Sequence, residues 1–505
     1  MDSGGGGFNL TMLMDFYELT MANGYFGLGR GDRVAYFDMF FRRVPDGGGY
    51  AVMAGVEQLA DYLSSLRFSE GDIAYLHSKG CFCEGFLDYL RDFEFACDVW
   101  AIPEGTPIFP NEPIVKVRGP IVQAQMIETM VLLTINHQSL IATKANRICS
   151  AADGRPVSEF GSRRAQGGHG AIMGARAAYI GGCAGTACVI AERDFGIPAT
   201  GTMAHSWVQS FDTELEAFEA YADLYPDRCV FLVDTYDAIR SGVPNAIKAM
   251  RERLAPSGRR AAAIRIDSGD ITYLSKTARR MLDDAGFPEC KILASNSLDE
   301  YIIRDIIAQG ARVDLFGVGE RLITSESEPV FGGVYKLAAL ERAGGGITPK
   351  LKISENVEKI TIPGDKQVFR LYQGIGGGRT KAVADVIALA GERIDEGAPY
   401  ELFDPDSTWK RKTVAGFTAK PLLEPVFVGG ARVHAPAPLH DIRAFCEKEV
   451  GMLWEEVRRF ENPQKYYVDL SQKLWDLKYG MLHEMSREKE PADSTADGLA
   501  NKQIK

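Results

Sequence analysis

Short apolar or β-branched runs alternate with amphipathic stretches through the middle of this chain. The runs are PVSEF (156–160), PATGTMA (198–204), CVFLVD (229–234), AAAIRID (261–267), KILAS (291–295) and VDLFGVG (313–319). Between them lie AIKAMRERLA (246–255), YLSKTARRMLDDAG (273–286) and DEYIIRDIIAQG (299–310), whose apolar spacing predicts helices. In the last, Ile302, Ile303, Ile306 and Ile307 share one face, and Gly310 supplies the stop. A strand-plus-helix unit therefore recurs every 20–40 residues or so, the spacing at which helical crossovers join parallel strands. The class is α/β. A closed barrel and an open doubly wound sheet both satisfy the rhythm. With six units in succession and no dinucleotide fingerprint, an irregular parallel α/β barrel is expected. In either fold the loops after the strands build the site.

The flanks read differently. Residues 9–125 mix helical and strand patterns, with Pro103, Pro107, Pro110, Pro113 and Pro120 marking extended backbone. They are expected to form an N-terminal α/β domain, followed by the barrel over 126–335. GGVYKLAAL, KITIPGDKQVFRLY and VADVIAL are strand signals, and the glycine clusters 344–346 and 376–378 read as hairpin loops. The β-rich segment 336–445 is expected to return and pack with the N-terminal domain, ahead of C-terminal helices over 446–484. Residues 1–8 read as a flexible leader, and 485–505, poor in apolar residues, as a disordered tail.

Composition narrows the function. The chain has 505 residues, 46% hydrophobic and 25% charged, as soluble multi-domain proteins do. A net charge of −11 argues against nucleic acid and anionic membranes as partners, so any phosphate needs a local basic pocket. No apolar run is long enough to span a membrane, and the N-terminus has no signal-peptide pattern. Nine scattered cysteines without a zinc spacing read as reduced thiols of a cytoplasmic protein.

The segments after the strands are rich in Arg, Asp, Ser and Gly. SEFGSRRAQG (158–167) puts Arg163 and Arg164 in a glycine-flanked loop, where a guanidinium fork suits phosphate or carboxylate; a surface ion-pair role is about as plausible. In IRIDSGD (264–270), alternation sends Arg265 and Asp267 to the same side. Burying both is costly unless they pair or are used, so a structural ion pair stands beside a functional one. Asp234 ends FLVD and fits a helix cap, a histidine-orienting group or a Mg²⁺ ligand through water. DLFGVGERL (314–322) runs a strand into a glycine-spaced turn, where backbone N–H groups can approach phosphate. His205, one of seven histidines, follows small residues in TGTMAHSW; an imidazole there is either structural or a nucleophile neutral at cytosolic pH.

Taken together, MDFYELTMANGYF (14–26), SEFGSRRAQG, GTMAHS, RIDSGD, FGVGERLIT and NPQKYYVDLSQKLWDLKYG (462–480) resemble, in order, the motifs of the nicotinate phosphoribosyltransferase family, over about residues 9–480. The resemblance implies a type II phosphoribosyltransferase fold. It implies a reaction of nicotinate with phosphoribosyl pyrophosphate, using Mg²⁺, that yields nicotinate mononucleotide and pyrophosphate for NAD salvage. ATP would be consumed through a phosphohistidine at His205, with Asp234 and Asp267 as the acidic residues beside it. Phe160 and Tyr17 would face the two sides of the pyridine ring, Tyr17 coming from the other chain of a homodimer with shared sites. Arg163, Thr202 and Arg265 match substrate-contacting positions, and Gly317, Gly319 and Glu320 the phosphate turn. Glu320 departs from the threonine common there, so either backbone N–H groups bind the phosphate or Arg321 compensates. A nicotinamide phosphoribosyltransferase and a catalytically silent nucleotide-binding barrel are the alternatives. The acid-free stretch YIGGCAGTA (179–187) favours a carboxylate substrate over an amide.

Overall fold

The computed structural model describes residues 9–356 and 359–487; the expected leader 1–8 and tail residues 488–505 lie outside the described residues. Two sheets frame the chain. The first, antiparallel, has seven strands ordered Ile347–Pro349, Val334–Glu341, Val34–Phe40, Val115–Pro120, Asp98–Ala101, Glu424–Val428 and Ala431–Arg432. Segments from both ends of the chain thus share one sheet: Val34–Phe40 pairs with Val334–Glu341, and Asp98–Ala101 with Glu424–Val428. Beside it, Lys366–Gly374 and Thr380–Leu389 form a hairpin whose loop holds Gly376, Gly377 and Gly378 at positive φ, a conformation that glycine adopts without strain. Val468–Leu470 adds to that hairpin in parallel, so the expected all-helical 446–484 contains a strand. Its helices also overrun those bounds: one starts at Leu439, and Gln472–Arg487 carries three residues past 484.

The second sheet is parallel and has six strands, ordered Gly185–Thr186, Val157–Glu159, Leu315–Val318, Lys291–Ala294, Ala263–Ile266 and Val230–Leu232. Five of the six apolar runs form strands here. The sixth, 198–204, contributes only a single bridge, Ala199 to Thr186, because its small residues bury little and continue the ladder no further. Gly185–Thr186 takes its place as a strand too short to leave a periodic signal. Among the described residues no backbone pairing joins 199–204 to Val230–Leu232, so the six strands form one parallel sheet whose backbone ladder does not close there. A side chain ties this segment to the next strand instead, Arg265 Nη1 of Ala263–Ile266 donating to Thr202 Oγ1 at 2.9 Å.

Helix Glu128–Ala151 joins the two sheets. Its first half, with Met130, Val131 and Ile135, packs into the core of the antiparallel sheet. Its second half, with Ile141, Ala145 and Ile148, packs under the parallel one. Helix Glu300–Ala308 buries Ile303 and Ile306 of its predicted apolar face, and Ile271–Asp284 covers the neighbouring strand. No helix among the described residues is long and apolar enough to cross a membrane.

Candidate active site

The C-terminal ends of the parallel strands bring most of the expected residues to one rim. Strand Ala263–Ile266 buries Ile264 and Ile266 on its outer side, which leaves Arg265 and Asp267 together on the other. Arg265 Nη2 donates to Asp267 Oδ1 at 2.9 Å, Nη1 to Thr202, and Nε to Ser295 Oγ at 2.8 Å. Asp267 also accepts from the Ser295 hydroxyl. All three faces of the guanidinium are thereby fixed, although the side chain is only 16% exposed. Beyond the strand, Asp270 caps helix Ile271–Asp284 by accepting from Tyr273 N–H at 2.9 Å.

His205 is the first residue of helix His205–Gln209. Its Nδ1 lies 3.1 Å from Thr235 Oγ1, and its Nε2 lies 3.8 Å from Asp267 Oδ2, beyond hydrogen-bond range. The partner on Nδ1 is therefore Thr235, not Asp234. Asp234 Oδ2 instead accepts from Asp267 N–H at 2.8 Å and from Ser268 Oγ at 2.6 Å, which pins the turn after the neighbouring strand. Its other oxygen, Oδ1, is buried with no hydrogen-bond partner. An orphaned carboxylate oxygen beside a second carboxylate fits a hard cation such as Mg²⁺. No cluster of three or more His, Cys, Asp or Glu suited to a metal occurs among the described residues.

Phe160 sits at the end of strand Val157–Glu159. Its N–H donates to Val318 O at 2.7 Å, and its ring lies against Gly317, where a Cβ would come 2.5 Å from Cδ2. Glycine at 317 is thus the condition for the ring's placement. The Arg265 guanidinium carbon stands 5.7 Å from the ring centre. Buried Glu159 braces the turn, taking Thr186 Oγ1 at 2.6 Å and Gly161 N–H; burial raises its carboxyl above the ordinary value.

The arginine pair divides. Arg164 Nε lies 3.6 Å from Glu320 Oε2, whereas the exposed Arg163 side chain has no hydrogen bond or ion pair among the described residues. Gly319 precedes the short helix Glu320–Ile323. Arg321 pairs with Asp299, the cap of the helix after strand Lys291–Ala294, and its Nε lies 3.2 Å from Glu326. The Glu320 charge is met by Arg164 and by Ser297 Oγ at 3.3 Å. Tyr17 is not brought to the rim. It lies exposed on helix Phe16–Gly27 and shares no hydrogen bond with the His205 group, and burial together with Glu128 raises its hydroxyl above the ordinary value. Thr235 and Ser295 carry no periodic signal in the sequence, being single hydroxyl residues; their places three and one residues past a strand were the only clue.

Fold and rim define an α/β protein built to handle phosphate, with arginines, carboxylates and an imidazole at the ends of parallel strands. The nicotinate phosphoribosyltransferase N-terminal domain matches residues 12–136, and the corresponding C-terminal domain matches 365–478. The nicotinate phosphoribosyltransferase of Bacillus subtilis (strain 168) is 42% identical over 94% of this chain and 96% of its own. Nicotinate phosphoribosyltransferase pncB2 of Mycobacterium tuberculosis (strain CDC 1551 / Oshkosh) is 38% identical over 97% of this chain and 98% of its own. The crystal structure of human nicotinic acid phosphoribosyltransferase superimposes with a TM-score of 0.81 at 29% identity, covering 92% of this chain and 99% of that one. The chain belongs to the nicotinate phosphoribosyltransferase family.

Proposed function

We propose that this chain joins nicotinate to phosphoribosyl pyrophosphate, releasing nicotinate mononucleotide and pyrophosphate in NAD salvage, and couples the reaction to hydrolysis of ATP. The observation that carries this reading is the full-length likeness to nicotinate phosphoribosyltransferases in a chain that keeps Arg265, Asp267, His205 and Phe160 on one rim. Phe160 offers a flat apolar surface for the pyridine ring, and unpaired Arg163 a charge for its carboxylate or a phosphate. The strand-end rim is read as the mouth of an irregular barrel closed by side chains at Thr202. Gly317, Gly319 and the N–H groups that follow would meet a phosphate by backbone, with Arg164 standing 3.6 Å from the Glu320 carboxylate.

Pyrophosphate departs as positive charge develops at the ribose C1, so the rim must stabilise the leaving group and hold the ring nitrogen in line. Asp234 and Asp267 would hold Mg²⁺, which when bound supplies charge neutralisation to the pyrophosphate. In the tautomer whose Nδ1–H donates to Thr235, the Nε2 lone pair of His205 is free to take the γ-phosphoryl group of ATP. The phosphohistidine forms as ADP leaves, and water later cleaves its P–N bond to release phosphate. Helix Phe16–Gly27 presents Phe16, Tyr17 and Met21 to solvent, with Leu13 exposed just before it, an apolar patch suited to a second copy of the chain. In that arrangement Tyr17 completes the partner's ring slot. The alternative amide substrate is disfavoured by the absence of an acid in 179–187. The test is turnover of nicotinate and of nicotinamide, each with and without ATP, by wild type and His205→Ala. Nicotinate should be preferred. The variant should keep slow ATP-independent synthesis but lose ATP hydrolysis and the acid-labile label from γ-labelled ATP. Normal labelling of the variant would remove His205 as carrier, and equal efficiency on both substrates would overturn the nicotinate assignment.

A further inference from the structure

A cavity of about 410 Å³ opens at the end of the parallel sheet opposite the His205 rim. Its walls include the last turns of helices Glu128–Ala151 and Glu300–Ala308, together with the loops 48–50 and 458–460. Crossover helices run counter to the strands they join, so helix C-termini lie where strands begin and the catalytic rim lies where strands end. Four arginines line the cavity: Arg147, Arg304, Arg458 and Arg459. Asp153 is the one carboxylate in the lining, and Arg155 pairs with it at 3.5 Å. Arg147 donates Nε to Glu300 at 3.2 Å, and Arg304 Nη2 meets Glu461 at 3.0 Å; their guanidinium carbons stand 4.6 and 4.5 Å from the Phe460 ring centre. The Arg147 side chain is 11% exposed, and its Nη2 is buried with no hydrogen-bond partner. The side chains of Arg458 and Arg459 have no hydrogen bond or ion pair among the described residues. The glycine run at 47–49 lets the wall close: a Cβ on Gly49 would lie 2.0 Å from Val457 O.

Four guanidinium groups around one cavity, two of them without a hydrogen bond or ion pair among the described residues, suit an anion with several oxygens. We infer that this cavity is a second anion site, which takes the phosphate of a small organic phosphate up to the size of a mononucleotide. Its volume lies in the range of roughly 300–1,000 Å³ typical of small-molecule sites. Ile307, Ala308 and the Tyr50 ring give the organic part an apolar wall. The site is separate from the reaction rim and stands whether or not the catalytic reading holds.

The test is calorimetric titration of the full chain with inorganic phosphate and with AMP, in wild type and in Arg458→Ala/Arg459→Ala. Wild type should show one class of binding beyond the rim, with AMP the tighter ligand. The double variant should lose that class or weaken it at least about tenfold, the factor expected when charged hydrogen-bond donors are removed. Its melting temperature and turnover in phosphate-free buffer should match wild type, because neither arginine holds another part of the fold. Equal stoichiometry and affinity in the two proteins would overturn the site. Phosphate binding as tightly as AMP would overturn the organic part and leave a site for the free ion. Arg458→Gln/Arg459→Gln replaces the alanine variant should that one fail to fold.

Discussion

Gly317 has no side chain to react with, yet it decides where Phe160 stands. Alanine there would press its methyl to 2.5 Å from the ring, and the ring must move because Gly317 is held within its strand. Gly317→Ala should therefore raise the KM for nicotinate roughly 3- to 10-fold, the factor that about 0.5–1.5 kcal/mol of aromatic contact represents. The KM for phosphoribosyl pyrophosphate should change little, and steady-state kinetics on both substrates separates the two. An unchanged nicotinate KM would remove Phe160 as the platform. At this scale much of the site was legible in the sequence. Alternation alone put Arg265 beside Asp267, and the structure joins them directly. The environment of Glu320 was not legible, since Arg164 and Ser297 come to it from two other strand ends. Nor was the partner of His205 Nδ1, for Thr235 lies 30 positions away and its hydroxyl has no pattern to follow.

Between elements, helix Phe16–Gly27 is fastened to the start of helix Glu128–Ala151 by one buried acid. Glu18 Oε1 accepts from Thr129 N–H at 3.0 Å and from the Thr129 hydroxyl. Burial pushes the Glu18 carboxyl up from an ordinary 4.5 to about 7, despite the opposing pull of those two bonds. The folded chain therefore keeps a proton that the unfolded chain has released between those values. Stability falls as pH rises through that window, and the loss is complete above about 7. Glu18→Gln should narrow the stability gap between about pH 5 and about pH 8, by up to about 3 kcal/mol in urea unfolding. Asp469, also pushed to about 7 by burial, is present in both proteins and cancels in the comparison. An identical pH profile in the variant would place the titration elsewhere. Elements with long apolar periods, such as Glu300–Ala308, were legible in the sequence; Gly185–Thr186, two residues long, was not, because its ladder is set by neighbours distant in sequence.

Across the whole molecule, the separation of Tyr17 from the His205 rim leads to an experiment on two chains. Tyr17→Ala and His205→Ala proteins should each be nearly inactive alone. Mixed in one dimer, they should regain roughly a quarter of wild-type activity, because about half the dimers are mixed and each then has one intact site of two. No recovery from proven mixed dimers would mean that both residues serve the same chain's site. Within each chain the six parallel strands are bonded in order from Gly185–Thr186 to Val230–Leu232; among the described residues 201–204 joins no ladder, and Thr202 reaches strand Ala263–Ile266 through its side chain, accepting from Arg265. A ring of strands bonded throughout would be equally stiff on every side. Here the segment that leads into His205 is held by side chains and not by rungs, and the imidazole follows it directly. On the proposed reading, a phosphoryl group on Nε2 would be housed by exchanging side-chain hydrogen bonds of this segment, such as Thr202 to Arg265, with no rung of the six-stranded ladder to break.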